Sequence, residues 1–451
     1  MPVSDHLGQR TLAVDRASLV EWYLRNRERS RRLFDLIDPE VYYTRPIALR
    51  NPIVFYEGHL PAFSVIAFLQ RGLGHSGVDE RLERLFARGI DPDSVDAAVP
   101  RSGASTLWPD RKEVLAFGAA ADEAVLSALR DAPFVEDRPA MLHGEAVYTA
   151  LEHEAMHQET LLYMWHRLPH DHKRKPIDLT YEVGGAPVAP DVVRIPAGRA
   201  TLGAERSGGR FGWDNEFGEV HLDVPAFEID IHNVTNAEYL AFVEAGGYRT
   251  RELWTEADWA WRESEQLEFP IFWLQRGGEW YWHGMFEDMP LPLAWPVYVS
   301  QAEASAFALW RKRRLPTEAE YHRAAFGTPE GRERLLPWGD ALADPSRGNF
   351  DFSNWEPVPA GSRPAGVSAW GVHDLVGNGW EWTSSIFGPF PGFSPMASYP
   401  EYSAEFFDNQ HYVMKGASSA TARELVRRSF RNWFRPNYPY VYATFRTVAA
   451  S

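Results

Sequence analysis

The sequence has no cysteine among its 451 residues. This absence excludes disulfide bonds, thiolate metal sites and cysteine nucleophiles. Positive charge is also in deficit: 46 lysines and arginines stand against 62 aspartates and glutamates, which gives a net charge of −16. A chain this acidic is not expected to bind nucleic acid or an anionic membrane, because both partners repel negative charge.

Long apolar runs and an N-terminal signal peptide are missing as well. The opening "MPVSDHLGQR" leads into no apolar segment, and the densest apolar stretch, "FSVIAFL" from Phe63, is too short to span a bilayer. We therefore expect a cytoplasmic protein. Aromatic residues, by contrast, are abundant: they make up 14% of the chain and include 18 tryptophans. These rings are expected to fill cores and to line a binding site.

Helical periodicity dominates the first 180 residues. Apolar residues recur at helical intervals after Asp15, a candidate N-cap, and up to Pro39. The same period appears in "VDERLERLFARG", "RKEVLAFGAAADEAVLSALRDA" and "GEAVYTALEHEAMHQETLLYMWHRL". Four amphipathic helices with loops between them predict a bundle, in which metal sites form from inward-facing side chains.

The sequence changes character at residues 172–190, where Pro and Gly become frequent and the helical period stops. Beyond this junction the strands are short, and two helices are predicted, "TNAEYLAFVEAGG" and "VSQAEASAFALWRKR". We predict an α+β protein with a helical domain over residues 1–180 and a loop-rich domain over residues 190–451.

Two histidines lie four residues apart in the last predicted helix, in "HEAMHQE". On a helix the Cβ atoms of His153 and His157 are about 6 Å apart, so both rings can bind one metal ion. His59, in the apolar and aromatic setting "NPIVFYEGHLPAF", is the candidate third ligand. Gln158 and Glu159 are expected to hydrogen-bond the ring N–H groups. The spacing fits zinc with a bound water as well as ferrous iron with open positions for O2.

The letters HEAMH also match the zinc-protease signature HExxH, in which the glutamate acts as a general base. Glu154 lies about 100° around the helix from His153, so it is not expected to bind the same ion. A zinc hydrolase that uses Glu154 is the alternative from another enzyme class. A catalytically silent binding protein is a third hypothesis.

Several motifs in the second half resemble the formylglycine-generating-enzyme fold, a C-type-lectin-like architecture: "VTNAEYLAFVEAGGY", "RLPTEAEYHRAA", "LVGNGWEWT" and "FRNWFRPNYPYVYATFR". The enzymes that name this fold need cysteines, so this chain cannot carry out their reaction. A DinB-like four-helix bundle ahead of that fold resembles the non-haem iron sulfoxide synthases, which make ergothioneine, ovothiol precursors and, in one branch, selenoneine. The resemblance covers nearly the whole chain.

This resemblance implies a cofactor, a reaction and two sets of site residues. His59, His153 and His157 match the family histidines that hold iron. The implied reaction uses Fe(II) and O2 to join sulfur or selenium to the imidazole C2 of hercynine, which is trimethyl-histidine. The Asn-Trp pair that helps to hold hercynine matches Asn432 and Trp433, whose indole would contact the trimethylammonium group.

The sequence departs from the family around the donor. Phe434 and Arg435 follow the Asn-Trp pair, where thiol-using members have an aspartate that contacts the donor. Met156 replaces the family glutamine before the second helix histidine. Members supply a tyrosine from the loop after "WEWT", but "SSIFGPFPGF" contains none, so the catalytic residue is not identified. We therefore predict a selenosugar donor, with cysteine or γ-glutamylcysteine as the alternative.

The sequence also supports predictions for three arginines and for the branch of the family. Arg111 is a candidate for binding a substrate carboxylate, although a surface salt bridge is the simpler expectation for it. Arg446, in "TFR", is expected to serve the fold, whereas Arg435 could reach the donor. The absence of a methyltransferase-like extension argues against the ovothiol branch.

Overall fold

The computed structural model describes residues 15–87, 108–135, 138–206 and 210–450. The chain divides into two compact units. The first contains Met1–Lys175, Ser207–Trp213 and Ser394–Tyr402, and the second contains Pro176–Arg206, Asp214–Phe393 and Ser403–Ser451. Two short segments from beyond the predicted junction therefore belong to the helical unit.

The helical unit is built from four longer helices and one short one: α1 (Arg16–Asp35), α2 (Ile53–Ser64), α3 (Glu80–Phe86), α4 (Arg111–Asp131) and α5 (Glu145–His166). Asp15 caps α1 as predicted, because its side chain accepts hydrogen bonds from the backbone N–H groups of Ala17 and Ser18. The end of "VDERLERLFARG" lies outside the described residues. The core of the unit is formed by buried side chains of α1, α4, α5 and the continuation of α2.

The helix α2 continues as a π-helical segment, Val65–Leu73, and ends at Gly74 with a φ of +70°. Every residue of Ile53–Ser64 is buried, so this helix has no polar face and no amphipathic period. The continuous helix Ile53–Leu73 has 21 residues and is long and apolar enough to cross a membrane by length and composition alone. The expectation of a stretch too short for this was therefore wrong. However, 83% of its apolar window is buried inside the protein, which is also typical of a core helix.

The second unit contains small sheets. Its strands are β1 (Val192–Ile195), β2 (Gly198–Leu202), β3 (Val220–Val224), β4 (Phe227–Asp230), β5 (Trp273–Arg276), β6 (Glu279–His283), β7 (Asp288–Pro290), β8 (Arg313–Arg314), β9 (Gly379–Ile386), β10 (Tyr412–Ala417), β11 (Asn432–Phe434), β12 (Ala443–Thr444) and β13 (Val448–Ala449). The two four-stranded sheets have the orders β1-β4-β13-β8 and β11-β10-β9-β12. The other sheets are β2-β3 and β5-β6-β7.

The helices of this unit are α6 (Asn236–Glu244), α7 (Glu256–Ser264), α8 (Gln301–Trp310) and α9 (Glu318–Phe326). The predicted helices α6 and α8 are confirmed, and α7 and α9 were missed. The sequence does carry a signal for α9, because Thr317 and Glu320 form a capping box at its start.

Arg446 is fully buried and holds the second unit together, as predicted. Its guanidinium group donates two hydrogen bonds of 2.7 Å to the carboxylate of Glu381 on β9. It also donates to the backbone carbonyls of Asp230, Ile231 and His373. A buried ion pair with its remaining N–H groups satisfied in this way links three separate parts of the chain.

Candidate metal centre

The helical unit brings His59, His153 and His157 together. One ring nitrogen from each residue lies within 4.8 Å of the others. The ring centroids are 5.0 Å apart for His59 and His153, 4.9 Å for His59 and His157, and 4.4 Å for His153 and His157. His59 is supplied by α2 and the other two by successive turns of α5, so two helices fix the group.

All three rings are held in the neutral state. Burial lowers the pKa of His59 to about 4. Burial also lowers the pKa of His153 and of His157 well below the usual value, and the neighbouring rings add to this effect. A neutral imidazole has a free lone pair, which is the form that binds a metal ion.

The hydrogen bonds leave nitrogen atoms free to bind a cation. His59 Nδ1 lies 2.6 Å from the carbonyl oxygen of Phe86, and donation of a proton there places the lone pair on Nε2. Within the described residues, His59 Nε2 and the Nδ1 atoms of His153 and His157 are buried without a hydrogen-bond partner. Buried polar atoms normally have partners, so the three rings fit a bound metal ion.

Phenylalanine rings fix the orientation of two of these histidines. The Phe63 ring is stacked on the His153 ring at 3.4 Å with an angle of 6° between the planes. The Phe55 ring is stacked on the His59 ring at 5.0 Å and 17°. Packing on both helices therefore limits rotation of the imidazoles, as a preorganised site requires.

The hydrogen bonds of Gln158, a neighbour of His157 on α5, run to α1. Gln158 donates hydrogen bonds to the carbonyl oxygen of Asn26 and to Ser30 Oγ on α1. The Nδ1 atoms of His153 and His157 have no hydrogen-bond partner among the described residues, so neither Gln158 nor Glu159 fixes these rings through that atom. A hydrogen bond from Gln158 or Glu159 to the other nitrogen of these rings stays a prediction.

Glu154 is engaged on the far side of α5. Its Oε1 atom accepts hydrogen bonds from Arg27 Nη1 at 2.8 Å and from Ser30 Oγ at 2.6 Å. Glu154 is 1% exposed, so this carboxylate belongs to a buried ion pair with α1. A carboxylate committed in this way is poorly placed to act as the general base of a zinc hydrolase.

Two tyrosines that the sequence analysis missed lie close to the candidate metal centre. The ring of Tyr399 is 6.0 Å from that of His153 and 4.9 Å from that of Phe63. Tyr402 donates a hydrogen bond to Met156 Sδ at 3.5 Å. Both belong to "SPMASYPEY", which begins where "SSIFGPFPGF" ends. The expectation that this loop supplies no tyrosine was wrong, because the loop continues beyond Phe393 and contains both tyrosines.

Ser398 anchors this segment to α5. Its backbone N–H and its hydroxyl group each donate a hydrogen bond of 2.9 Å to Glu145 Oε1. Its hydroxyl oxygen also lies 2.9 Å from Thr149 Oγ1. The backbone carbonyl of Ser398 accepts a hydrogen bond from Arg71. These contacts hold Tyr399, the next residue, against the histidines.

The contacts of Arg111 indicate a structural ion pair and not a role in substrate binding. Its guanidinium group forms an ion pair with the carboxylate of Glu57 on α2, with Nη2 and Oε1 2.8 Å apart. Glu57 is buried, and its Oε2 atom also accepts a hydrogen bond from Tyr42. Arg111 thus neutralises a buried carboxylate, and the simpler expectation of a salt bridge holds.

The remaining predicted site residues lie in the second unit, on or directly after β11. Trp433 is half-buried and stacks on Phe387 at 4.1 Å with an angle of 6° between the rings. Asn432 Oδ1 accepts a hydrogen bond from the backbone N–H of Trp433. Phe434 stacks on Tyr438 at 5.0 Å, and Arg435 lies 3.8 Å from Asp408 Oδ2. Their contact with substrate stays a prediction.

Each half of the chain matches a known protein family. The DinB superfamily matches residues 23–161, and the sulfatase-modifying factor enzyme 1-like domain matches residues 181–451. Hercynine oxygenase from Mycolicibacterium thermoresistibile is 34% identical over 96% of this chain and 94% of its own length. Ergothioneine biosynthesis protein 1 from Neurospora crassa is 29% identical over a region that covers 92% of this chain and 55% of the Neurospora protein.

Among solved structures, PvdO from Pseudomonas aeruginosa covers 59% of this chain and 99% of its own chain, with 18% identity and a TM-score of 0.40. A likeness at that score supports no functional argument. A DinB-type helical region followed by a sulfatase-modifying-factor domain defines a class of two-part enzymes. Within this class, the chain belongs to the hercynine oxygenase family of ergothioneine-type sulfoxide synthases. The predicted family and the α+β fold class are thereby confirmed.

Proposed function

We propose that this enzyme uses Fe(II) and O2 to form a bond between a chalcogen atom and the imidazole C2 of hercynine. The observation that carries this proposal is the convergence of three neutral histidines, two buried and one partly buried, in the helical unit. Its support from relatives is the 34% identity with a hercynine oxygenase over nearly the full length of both chains.

In this proposal His59, His153 and His157 hold the metal ion. Bound ferrous iron with three imidazole ligands supplies open coordination positions at which O2 is activated. Phe63 and Phe55 keep two of the imidazoles in place, and the hydrogen bond to Phe86 keeps the lone pair of His59 on Nε2. The chain thus contributes a rigid set of neutral ligands.

Tyr399 is the proposed source of the proton that the reaction requires. Its ring lies beside His153, and Ser398 fixes the backbone next to it. The phenol O–H group of tyrosine is a hydrogen-bond donor. Tyr399 would supply its proton to an acceptor beside the three histidines.

Hercynine is proposed to contact the second unit through Trp433 and Asn432. The indole of Trp433 is half-buried and stacked on Phe387, so its orientation is fixed. A trimethylammonium group against such a ring gains about 1–2 kcal/mol from cation–π attraction when it is desolvated. Met156, at the position of the family glutamine on α5, also stays a predicted substrate contact.

The donor is proposed to be a selenosugar, with cysteine or γ-glutamylcysteine as the second candidate. Phe434 is apolar where thiol-using members carry an aspartate. Arg435 lies near Asp408, which offsets part of its charge. Both features suit an uncharged donor. The names of the relatives favour the sulfur donors instead, so the two candidates rest on different observations.

We also propose that the protein is located in the cytoplasm.

One experiment tests the reaction and the donor together. Protein is purified without O2, loaded with Fe(II), and mixed with hercynine, O2 and one donor at a time: a selenosugar, cysteine or γ-glutamylcysteine. Mass spectrometry identifies the product, and the isotope pattern of selenium distinguishes the two chalcogens. We expect a selenium–hercynine adduct from the selenosugar. A sulfur adduct alone would assign the donor to the thiols, and no adduct with any donor would refute the proposed function.

A further inference from the structure

A row of aromatic rings leads away from the metal centre within the helical unit. The ring of Tyr399, next to His153, is 5.7 Å from that of Tyr402. The Tyr402 ring is 4.0 Å from that of Trp213, with an angle of 30° between the planes. Aromatic rings at such distances are in direct contact. The row therefore begins at the candidate ligands and passes through the two segments that join the helical unit from later in the chain.

The same row continues to the protein surface. The ring of Phe211 is 5.8 Å from Trp213 and 5.5 Å from Tyr148, and the ring of Tyr148 is 6.3 Å from Trp22. Trp213 is fully buried, whereas Tyr148 on α5 and Trp22 on α1 are partly exposed. The row thus joins a buried metal centre to solvent by ring contacts alone.

The composition of the row suits electron transfer. Except for the spacer Phe211, each ring belongs to tyrosine or tryptophan, the aromatic side chains that lose one electron most readily. The chain has no cysteine that would compete for an oxidising equivalent. Met156, whose thioether is readily oxidised, lies in contact with Tyr402 and is a competing target next to the metal centre.

Trp213 also has a proton acceptor. Its Nε1–H group donates a hydrogen bond of 2.8 Å to Oε2 of Glu152, which is 3% exposed and directly precedes His153 on α5. An indole that loses an electron becomes a strong N–H acid. A carboxylate within hydrogen-bond distance can accept that proton and return it when the electron is replaced.

We propose that Tyr399, Tyr402, Trp213, Tyr148 and Trp22 form a path that removes oxidising equivalents from the metal centre when O2 is activated without hercynine in place. In each step Trp213 gives one electron towards the metal centre, through the tyrosines, and its Nε1 proton to Glu152. Trp22 and Tyr148 then return one electron to Trp213, and the proton moves back from Glu152. A thiol in solution supplies one electron and one proton at the surface for each equivalent removed, and is oxidised to disulfide. This inference rests on the proposed function.

The test locates oxidation damage. Fe(II)-loaded protein is exposed to O2 without hercynine, with catalase present and the thiol omitted, and peptide mass spectrometry measures oxidation at Trp22, Tyr148, Tyr399 and Met156. Freeze-quenched samples are examined by electron paramagnetic resonance for tyrosyl and tryptophanyl radicals. The variants are Trp213→Phe, which keeps a ring but removes the N–H group, and Glu152→Gln, which keeps an acceptor oxygen but removes the carboxylate. Trp165→Phe is the matched control, because Trp165 is a fully buried tryptophan of α5 that bonds to Leu33 and lies off the path.

We expect Trp213→Phe to reduce oxidation of Trp22 several-fold, to abolish the tryptophanyl signal, and to increase oxidation of Met156 and Tyr399. Glu152→Gln should reduce oxidation of Trp22 less strongly, and Trp165→Phe should match the wild type. If Trp213→Phe does not fold, Glu152→Gln and the wild-type damage map decide the question.

Two results would overturn the path. The first is oxidation of Trp22 that does not change in either variant. The second is damage concentrated at Trp108, whose ring is 6.3 Å from that of Phe55 and which is reached from His59 without a tyrosine or tryptophan relay. Product formation with hercynine and donor is measured on the same preparations. If the wild-type protein forms product but oxidation of Trp22 does not depend on Trp213, the path alone is refuted. If the wild-type protein forms no product, the proposed function is refuted.

Discussion

The two units each contain a group of histidines whose rings have nearly the same spacing. In the helical unit the ring centroids of His59 and His157 are 4.9 Å apart, and in the second unit those of His232 and His373 are also 4.9 Å apart. Burial lowers the pKa of both His59 and His232 to about 4. Each group also has buried ring nitrogens without a hydrogen-bond partner among the described residues. Spacing and neutrality alone therefore do not identify a metal centre.

Ring orientation and the number of donors separate the two groups. The planes of the three rings in the helical unit meet at 63–79°, so their nitrogens converge, whereas His232 and His373 are tilted by only 31°. No third histidine or acidic residue joins this pair within ligand distance in the described part of the chain. Gly361, at a φ of +77°, lies so close that a Cβ atom there would be 2.9 Å from His232 Nε2. His232 and His373 are therefore packed against their surroundings, whereas the three histidines of the helical unit are arranged to coordinate a metal ion.

The largest expected effect is loss of the metal. His153→Ala and His157→Ala should each reduce bound iron from one equivalent to almost none and abolish product formation, because two imidazoles cannot hold the ion tightly. Iron is measured after anaerobic loading and gel filtration. His232→Ala is the control from the second unit and should keep its full iron content. Full iron content in the α5 variants, or its loss in the control, would reverse the assignment of the two groups.

A smaller effect is expected from the ring that packs on His153. Phe63→Leu keeps an apolar side chain of similar size but removes the stacked ring, so the imidazole gains freedom to rotate. We expect iron affinity to fall about tenfold, as for other residues that orient metal ligands. Competition with a chelator under anaerobic conditions measures this affinity.

Phe326→Leu is the matched control for this variant. Phe326 packs against His322 in the second unit, with ring centroids 5.1 Å apart, but that histidine is not a member of the candidate centre. Its substitution should leave iron affinity unchanged. Equal affinities in both variants and the wild type would show that the stack on His153 does not position a ligand.

The three candidate ligands could be predicted from the sequence because two of them have helical spacing and the third stands in a distinctive apolar segment. The role of Glu154 could not, because its partner Arg27 lies 127 residues earlier and the pairing depends on how α1 packs on α5. The length of α2 was underestimated for a related reason. A helix that is buried on every side has no polar face, and therefore no period that reveals where it ends.

The segment with Tyr399 and Tyr402 was the most difficult part of the site to predict. It has no helical or strand period, and its place in the helical unit depends on contacts with residues far away in sequence, such as those of Ser398 with Glu145 and Thr149. Trp213 joins the unit in the same way, through Glu152. Contacts between residues so far apart in sequence depend on tertiary packing, and no pattern within either segment predicts them.

The smallest expected effect concerns the packed pair and pH. The pKa of His232 is lowered to about 4, first by burial and then by the nearby charges of His373 and Arg446. In the unfolded chain a histidine takes up a proton near pH 6.5, so the unfolded state binds more protons between about pH 6.5 and pH 4. The second unit should therefore lose stability as pH falls from about 6.5 to about 4. Below about pH 4, protonation of His232 should cause no further loss of stability.

The substitution His232→Gln removes this titration. We expect the amide of His373, which bonds to the carbonyl of Ile231, to exchange faster in the wild type as pH falls from about 7 to about 5, after correction for intrinsic exchange. The variant should show a weaker dependence. Both proteins have the same metal-centre histidines, so the titration of those residues cancels in the difference. Parallel pH profiles in the two proteins would mean that the pair takes up a proton at its ordinary pKa, and that burial restrains only the group of three.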